Sequence, residues 1–256
     1  MEEAPYRVGS EDRGAVRLLT LDRPAKLNAL TAAGFDSLRG RLEEAATDPE
    51  VAVCVLTGSG RAFCSGVDLS AMDGGSGTAG LRSSFDPLLA TLAHFEKPLV
   101  AAVNGLAVGF GATVLLHCDL VVVDETAQIR LPFVALGTTA EAAATWLLPR
   151  RVGMQRAAWA VLGGQPLSAD EAVAAGLALA TAPAGHAVEG ALERAQVLAG
   201  HGVAPLVANK RLLRYGWAEQ IVDAWQREAE AMVTLAREVG TFGRSWSGRE
   251  GDRRPT

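Results

Sequence analysis

The amino-acid sequence predicts an α/β protein built around a mostly parallel sheet, and three observations support this fold class. The segment 51–57 is almost continuously apolar and β-branched, which is typical of a strand covered on both faces. A second apolar run, at 98–103, leads into a glycine-containing turn and an apolar helix start. This order of strand, glycine turn and helix occurs twice, which indicates two units of similar architecture.

The N-terminal third supplies the first elements in chain order. A strand is predicted at 15–21, and Thr31 is a predicted N-cap for the helix that follows. Residues 73–80 are so rich in glycine that we expect a mobile loop there, followed by a helix over 81–95. The buried positions of the helix after Thr31 are predicted to be Phe35, Leu38 and Leu42.

The C-terminal half is predicted to be mainly helical. Two short strands at 120–123 and 128–131 precede a helix that we expect to start near Glu141. The segment 168–171, Ser-Ala-Asp-Glu, fits a capping box, and the pattern is helical throughout 186–239. The predicted apolar positions of this last region are Leu206, Leu212, Leu213, Ile221, Trp225 and Met232. The tail from Gly240 onward is expected to be ordered only against a partner subunit.

Composition excludes several classes of function. The chain has 256 residues and a net charge of −5, so nothing favours nucleic acid as a partner. Its three cysteines and four histidines lack the spacing of a metal site, and none is predicted. Without a signal peptide or a long apolar run, we expect a cytoplasmic protein with reduced, buried thiols and no membrane insertion.

An ordered set of short motifs carries a resemblance to a known family. The set opens with RPAKLNAL at 23–30 and continues with SGVDL at 65–69 and VGFG at 108–111, two glycine turns about 43 residues apart. Later pieces, in the family's order, are Lys97-Pro98, Val103-Asn104-Gly105, Cys118-Asp119, Pro149-Arg150 through Gly153, and residues 167–177. Over roughly residues 10–215 the chain resembles the crotonase, or enoyl-CoA hydratase/isomerase, superfamily.

The resemblance implies an architecture and a substrate class. The family fold is a ClpP/crotonase-type spiral of ββα units with a C-terminal helical region, which would divide this chain into a core at 1–200 and a trimerisation region and tail at 201–256. Members bind acyl-CoA thioesters as homotrimers or dimers of trimers, and no separate cofactor is expected because coenzyme A is part of the substrate. By position, the backbone N–H groups of Val67 and Phe110 would form the oxyanion hole. Phe110 stands where many members have glycine, and the direction of its ring is left open.

The carboxylates point to one reaction within the family. Hydratases use two glutamates, and their positions fall here on Thr113 and Phe133, neither of which can act as a general base. Residues 132–141, PFVALGTTAE, resemble the motif of peroxisomal-type Δ3,Δ2-enoyl-CoA isomerases, which places the catalytic glutamate at Glu141. For that role Glu141 should lie in an apolar pocket that raises its pKa. The alternative is that Glu141 is only an acidic residue in the first turn of a helix.

The resemblance also suggests residues of the coenzyme A channel. They are Lys26, Leu27, Ala29, Ser65, Asp68 and Leu69. Lys26 could meet a phosphate or could be an ordinary exposed lysine. The function expected is a Δ3,Δ2-enoyl-CoA isomerase of lipid metabolism. Two alternatives remain: a hydratase that uses Glu141 or a water-holding pocket in place of the two glutamates, and a non-catalytic acyl-CoA-binding protein.

Overall fold

Ten strands and nine α-helices lie within residues 6–72 and 75–239, the parts of the chain that the computed structural model describes. The strands are β1 (Val8–Arg13), β2 (Val16–Leu21), β3 (Val53–Gly58), β4 (Ala62–Cys64), β5 (Leu99–Val103), β6 (Leu106–Val108), β7 (Leu120–Asp124), β8 (Gln128–Arg130), β9 (Leu167–Ser168) and β10 (Ala180–Ala182). The helices are α1 (Ala32–Thr47), α2 (Gly75–His94), α3 (Phe110–Thr113), α4 (Ala144–Val152), α5 (Met154–Gly163), α6 (Ala169–Ala175), α7 (Ala187–Ala199), α8 (Val203–Leu213) and α9 (Trp217–Val239).

The larger sheet is parallel apart from one edge. Its six strands run in the order β1-β2-β3-β5-β7-β10, and only the β1–β2 pair is antiparallel. Every residue of β3 is buried, because Val53 and Val55 face an apolar cluster under α7 while Cys54 and Leu56 face the main core. The predicted strand covered on both faces is therefore confirmed.

A second, four-stranded sheet turns the repeated pattern into a spiral. Its order is β4-β6-β8-β9, and β4, β6 and β8 pair in parallel. Each of these three short strands follows a strand of the larger sheet and is followed by a helix, which gives three successive ββα units. Because neighbouring parallel strands end at the same edge, the turns after β4, β6 and β8 lie side by side.

Local capping follows the sequence where a side chain serves as the cap. Thr31 accepts a hydrogen bond from the N–H of Gly34 at 3.3 Å, and α1 buries the predicted apolar positions. The capping box is present in full, since Ser168 accepts from the N–H of Glu171 and the Glu171 carboxylate accepts from the N–H of Ser168. Both predictions are confirmed.

Three predicted boundaries are wrong. Helix α2 begins at Gly75, so residues 75–80 are helical rather than a loop, and 73–74 lie outside the described residues. Glycine and serine lower helix propensity, but this stretch continues a helix whose later turns pack on α1 and α9. Helix α4 starts three residues after Glu141, and the helical region 186–239 is broken at 200–202 and 214–216. The tail from Gly240 lies outside the described residues.

The buried surroundings of the cysteines agree with the sequence. Cys54, Cys64 and Cys118 are free and buried, and burial raises the pKa of each thiol to about 12. In residues 6–72 and 75–239, no helix has the length and apolar character needed to cross a membrane.

Candidate active site

Two glycine turns meet at the edge of the small sheet. The turn through Gly66 follows β4 and the turn through Gly109 follows β6, so the parallel pairing of these strands sets the turns side by side. A methyl group built on Gly66 would lie 2.9 Å from the carbonyl oxygen of Val108 and 3.5 Å from the backbone nitrogen of Phe110. One built on Gly111 would lie only 2.0 Å from the carbonyl oxygen of Cys64. Glycine at these positions lets the two backbones touch.

The geometry leaves two backbone N–H groups at this junction outside the regular ladders. Leu30 donates to the carbonyl of Gly66 at 2.8 Å and Asp68 donates to the carbonyl of Leu30 at 2.9 Å, so this bridge passes over the N–H of Val67. Phe110 is the first residue of α3, where an N–H has no partner within the helix. The arrangement is suited to an oxygen that carries negative charge.

The side chain of Phe110 points into the core. It is 1% exposed and makes edge contacts with Phe35 and Phe85, at ring-centroid distances of 5.1 and 5.5 Å. The ring therefore does not occupy the space in front of its own N–H group. Trp225 of α9 contacts Phe85 with its ring tilted by 56° and a centroid distance of 5.0 Å, so the last helix packs against this aromatic group.

Glu141 lies in the segment between β8 and α4, beside the first glycine turn. Burial is the main cause of the raised pKa of the Cys64 thiol, and the negative charge of Glu141 raises it further. Cys64 ends β4 immediately before that turn. Glu141 is half-buried, and desolvation of its carboxyl group, with a smaller effect from the charge of Glu228, raises its pKa to about 8. Glu141 precedes α4, so its predicted place in the first turn of a helix is wrong, and its catalytic role stays a prediction.

The Glu141 turn, residues 141–143, has an unusual backbone. Ala142 and Ala143 both have φ of 58°, in the left-handed region that alanine rarely adopts. Such residues cost on the order of 1–3 kcal/mol each and persist only where the surroundings fix them. Here His117 donates from Nε2 to the carbonyl of Ala142 at 2.9 Å, and the carboxylate of Glu228 accepts from the N–H of Ala143 at 2.8 Å. His117 is neutral, because burial lowers its pKa to about 4.

Sequence reasoning missed Glu228. It lies on α9, 4% exposed, and its pKa is raised to about 7 by burial against the opposing effect of its hydrogen bonds. The sequence spacing could have revealed it, since Glu228 falls on the same helical face as the apolar residues Ile221, Ala224 and Trp225. An acidic residue on the apolar face of an amphipathic helix is unusual and needs a partner.

The two positions that hydratases fill with glutamates carry no carboxylate. Thr113 is fully buried at the end of α3, and its hydroxyl donates to the carbonyl of Phe110 at 3.3 Å. Phe133 is 4% exposed and belongs to the main core.

The proposed channel residues cluster around the strand-like bridge between Leu30 and Val67. Lys26 is exposed at the end of a 3-10 turn, and Leu27 follows with φ of 51°. Asp68 is buried and paired with Arg23 at 2.6 Å, and it also accepts from the hydroxyl of Ser70 at 2.5 Å, so its carboxylate fixes the protein's own turns. The remaining three are Ala29, buried, Ser65, half-buried, and Leu69, exposed.

Comparisons with known proteins match this arrangement. The family model for enoyl-CoA hydratase/isomerase matches residues 11–239. The 2,3-dehydroadipyl-CoA hydratase of Escherichia coli (strain K12) is 40% identical over 221 residues, 86% of this chain and 87% of that protein. The 1,2-epoxyphenylacetyl-CoA isomerase of the same strain is 37% identical over 163 residues, 61% of this chain and 62% of that protein.

Solved structures agree in both fold and sequence. An enoyl-CoA hydratase/isomerase from Pseudoalteromonas atlantica T6c superposes with a TM-score of 0.85 at 32% identity, over 91% of this chain and 92% of that one. OdaA from Pseudomonas aeruginosa gives a TM-score of 0.84 at 35% identity, over 91% and 94% of the two chains. The chain has the crotonase fold and belongs to the enoyl-CoA hydratase/isomerase family.

Proposed function

We propose that this protein is a Δ3,Δ2-enoyl-CoA isomerase of lipid catabolism, which moves a double bond by a 1,3-proton shift. One observation carries the proposal. Glu141 is a desolvated carboxyl group close enough to Cys64, the residue before the first glycine turn, to affect the pKa of that thiol, whereas Thr113 and Phe133 replace the pair of acids that water addition uses. A single carboxylate is chemically sufficient for isomerisation and insufficient for the two-glutamate hydration mechanism.

The proposed reaction needs one base and one pair of donors. Glu141 removes a proton from carbon 2 of a 3-enoyl thioester, and the electron pair moves onto the thioester oxygen. The N–H groups of Val67 and Phe110 hold that oxygen, where they stabilise the enolate more than the substrate. Glu141 then returns the proton to carbon 4, and the double bond ends between carbons 2 and 3. The raised pKa makes the Glu141 carboxylate a stronger base. At pH 7, however, only about a tenth of the Glu141 carboxyl groups are ionised.

Coenzyme A is proposed to lie along the bridge between Leu30 and Val67. Lys26 is exposed at the end of its turn, and we expect its ammonium group to contact a phosphate of coenzyme A. We expect the other channel residues to contribute mainly shape and backbone groups, since Asp68 is already paired with Arg23.

The proposed assembly is a homotrimer or a dimer of trimers. Support comes from apolar side chains at the end of α8 that the single chain leaves uncovered, with Leu212 74% and Leu213 80% exposed. Exposed apolar surface of this kind is typical of an interface. Light scattering on the purified protein would measure the mass, and a monomer at micromolar concentration would contradict the assembly.

Hydration is the second candidate, because the relative that is 40% identical is named a hydratase. It requires that Glu141 alone activate water at carbon 3 and handle the proton at carbon 2. Offering the enzyme 3-hexenoyl-CoA and crotonyl-CoA separately distinguishes the two reactions through the absorbance of the conjugated thioester. Isomerisation makes absorbance appear from the first substrate, whereas hydration makes it disappear from the second.

The Glu141→Gln variant tests the base. Removing a general base typically lowers the rate by about 10²–10⁴-fold, so we expect a loss of that size in kcat. Glu230→Gln is the matched control, since it makes the same change at an exposed position and should retain full activity. Undiminished isomerisation in Glu141→Gln would contradict the proposal, and so would water addition without isomerisation in the wild type.

A further inference from the structure

The carboxylate of Glu228 is bound at the start of α4 by three hydrogen bonds. One oxygen accepts from the N–H of Ala143 at 2.8 Å, and the other accepts from the N–H and the hydroxyl of Thr145 at 2.8 and 2.6 Å. Thr139 donates in addition to the backbone carbonyl of Glu228 at 3.3 Å. The residue at the N-cap of α4 is Ala143, which has no side chain to cap the helix, so the cap comes from α9, 85 residues away along the chain.

The hydrogen bonds to Glu228 come from Ala143 in the Glu141 turn and from Thr145 just after it. Ala143 carries one of the two left-handed φ angles of the Glu141 turn, and its N–H is fixed by Glu228. Ala142 carries the other, and His117 binds its carbonyl. Two buried side chains from distant parts of the chain therefore hold a backbone conformation that alanine does not favour.

We propose that Glu228 is a positioning residue of the active site, which aims Glu141 at the substrate by fixing the left-handed turn at Ala142 and Ala143. This inference rests on the proposed role of Glu141 as the base. We assign Glu228 a positioning role rather than that of a second base, because three hydrogen bonds hold its carboxylate against the start of α4.

Glu228 also contributes a charge to the site. Other titratable or charged groups on the elements packed here include Cys64 of β4, Arg82 and Asp86 of α2, His117 after α3, Arg150 and Arg151 of α4, and Arg227 of α9 with its ion-pair partner Asp223. Burial keeps Cys64 and His117 neutral at pH 7. Arg82 is directed to Asp86, and Arg150 stacks over Trp146 at 3.9 Å. Arg227 acts on Glu228 itself. Apart from burial, the charge of Glu228 is the influence that raises the pKa of Glu141.

The Glu228→Gln variant tests the proposal while keeping the shape of the side chain. The amide can still accept from Thr145, but its NH₂ group would face the N–H of Ala143, donor against donor. Displacement of a catalytic group by about 1 Å can cost about 10²-fold in rate, so we expect kcat for 3-hexenoyl-CoA to fall about 10- to 100-fold. KM should change less than about threefold, because Glu228 is buried and its carboxylate is bound to the start of α4.

The pH profile distinguishes positioning from general stability. Loss of the Glu228 charge lowers the pKa of Glu141, so the acid limb of the kcat/KM profile should move to lower pH in Glu228→Gln. Glu230→Gln, on the same helix with the same change of charge, should leave both kcat and the limb in place. Adding Glu228→Gln to Glu141→Gln should cause no further loss.

Thr145 provides a second variant in case Glu228→Gln folds poorly. Thr145→Val removes the 2.6 Å bond and leaves the charge, so kcat should fall by a smaller factor with the acid limb unmoved, and Thr145→Ser should restore the rate. If Glu228→Gln and Thr145→Val both match the wild type while Glu141→Gln is inactive, this inference alone is overturned. A lower melting temperature with unchanged kcat and pH profile would also overturn it. A wild type that does not isomerise would overturn the proposed function as well.

Discussion

The contact between the two glycine turns can be tested by adding one methyl group. Gly66 has φ of 96°, and a methyl group on it would lie 2.9 Å from the carbonyl oxygen of Val108. An ordinary contact begins near 3.4 Å, so in Gly66→Ala the two turns must separate by about 0.5 Å. The N–H groups of Val67 and Phe110 belong to these turns and would move apart with them.

The expected effect is larger on catalysis than on stability. Hydrogen-bond donors in an oxyanion hole act at about 2.7–3.1 Å, and loss of one donor costs about 10²–10³-fold in kcat. We therefore expect kcat for 3-hexenoyl-CoA to fall about 100-fold in Gly66→Ala. The strained φ costs about 1–3 kcal/mol, which for a chain of this size lowers the melting temperature by roughly 2–12 °C.

Gly14→Ala separates strain from the contact. Gly14 lies in the turn between β1 and β2 with φ of 64°, and nothing lies within 4 Å of a methyl group built there. This variant should lose stability and keep its kcat. If Gly66→Ala stays within about threefold of the wild type in kcat, the two turns do not form the oxyanion hole.

Further predictions concern titration, a buried lysine and the thiols. Glu141 must be ionised to accept a proton, and its pKa is about 8, so kcat/KM should rise about tenfold from pH 6 to 7 and level off above pH 8, as measured by initial rates. The same raised pKa favours the folded state below the unfolded value of 4.5 and costs stability as pH rises through about 8, so Glu141→Gln should melt higher than the wild type at pH 9. Lys97, 5% exposed, donates to the carbonyls of Ala45 and Asp48 at 2.6 Å each, so Lys97→Met should lower the free energy of unfolding by about 2–4 kcal/mol in a urea titration. The three thiols should react with a thiol reagent at pH 8 only after unfolding, since burial raises their pKa to about 12.

Prediction from sequence succeeded where a local pattern determines the structure. The buried strand at 51–57 and the caps at Thr31 and Ser168 depend on neighbours in the chain, and all three were found. Strand β1 escaped notice because its sequence, VGSEDR, is polar and its residues after Val8 are exposed at the sheet edge. The glycine-rich start of α2 was misread because the rest of that helix, through its packing, overrides weak local propensity.

In the candidate site too, features set by local sequence patterns were predicted, whereas features set by long-range contacts were not. Motif spacing predicted Val67, Phe110 and Glu141 as site residues, and their segments follow β4, β6 and β8, neighbouring parallel strands of the small sheet. Their catalytic roles stay predictions that an activity assay tests. The support of Glu141 by Glu228 depends on a contact across 85 residues, which no short-range pattern reports. The exposure of Leu212 and Leu213 likewise could not be inferred from helical spacing, which marks an apolar face without saying what covers it.

The phenylalanine at position 110 affects the conformational entropy of the proposed oxyanion hole. Its backbone begins a helix and has no positive φ, so the position does not require glycine. A phenylalanine has fewer backbone conformations to lose on folding than a glycine, an advantage of about 0.4–1 kcal/mol at a compatible site. Its ring is also anchored between Phe35 and Phe85. If the N–H of Phe110 is the proposed donor, it is restrained before substrate binds, and less ordering remains to be completed when the proposed enolate forms.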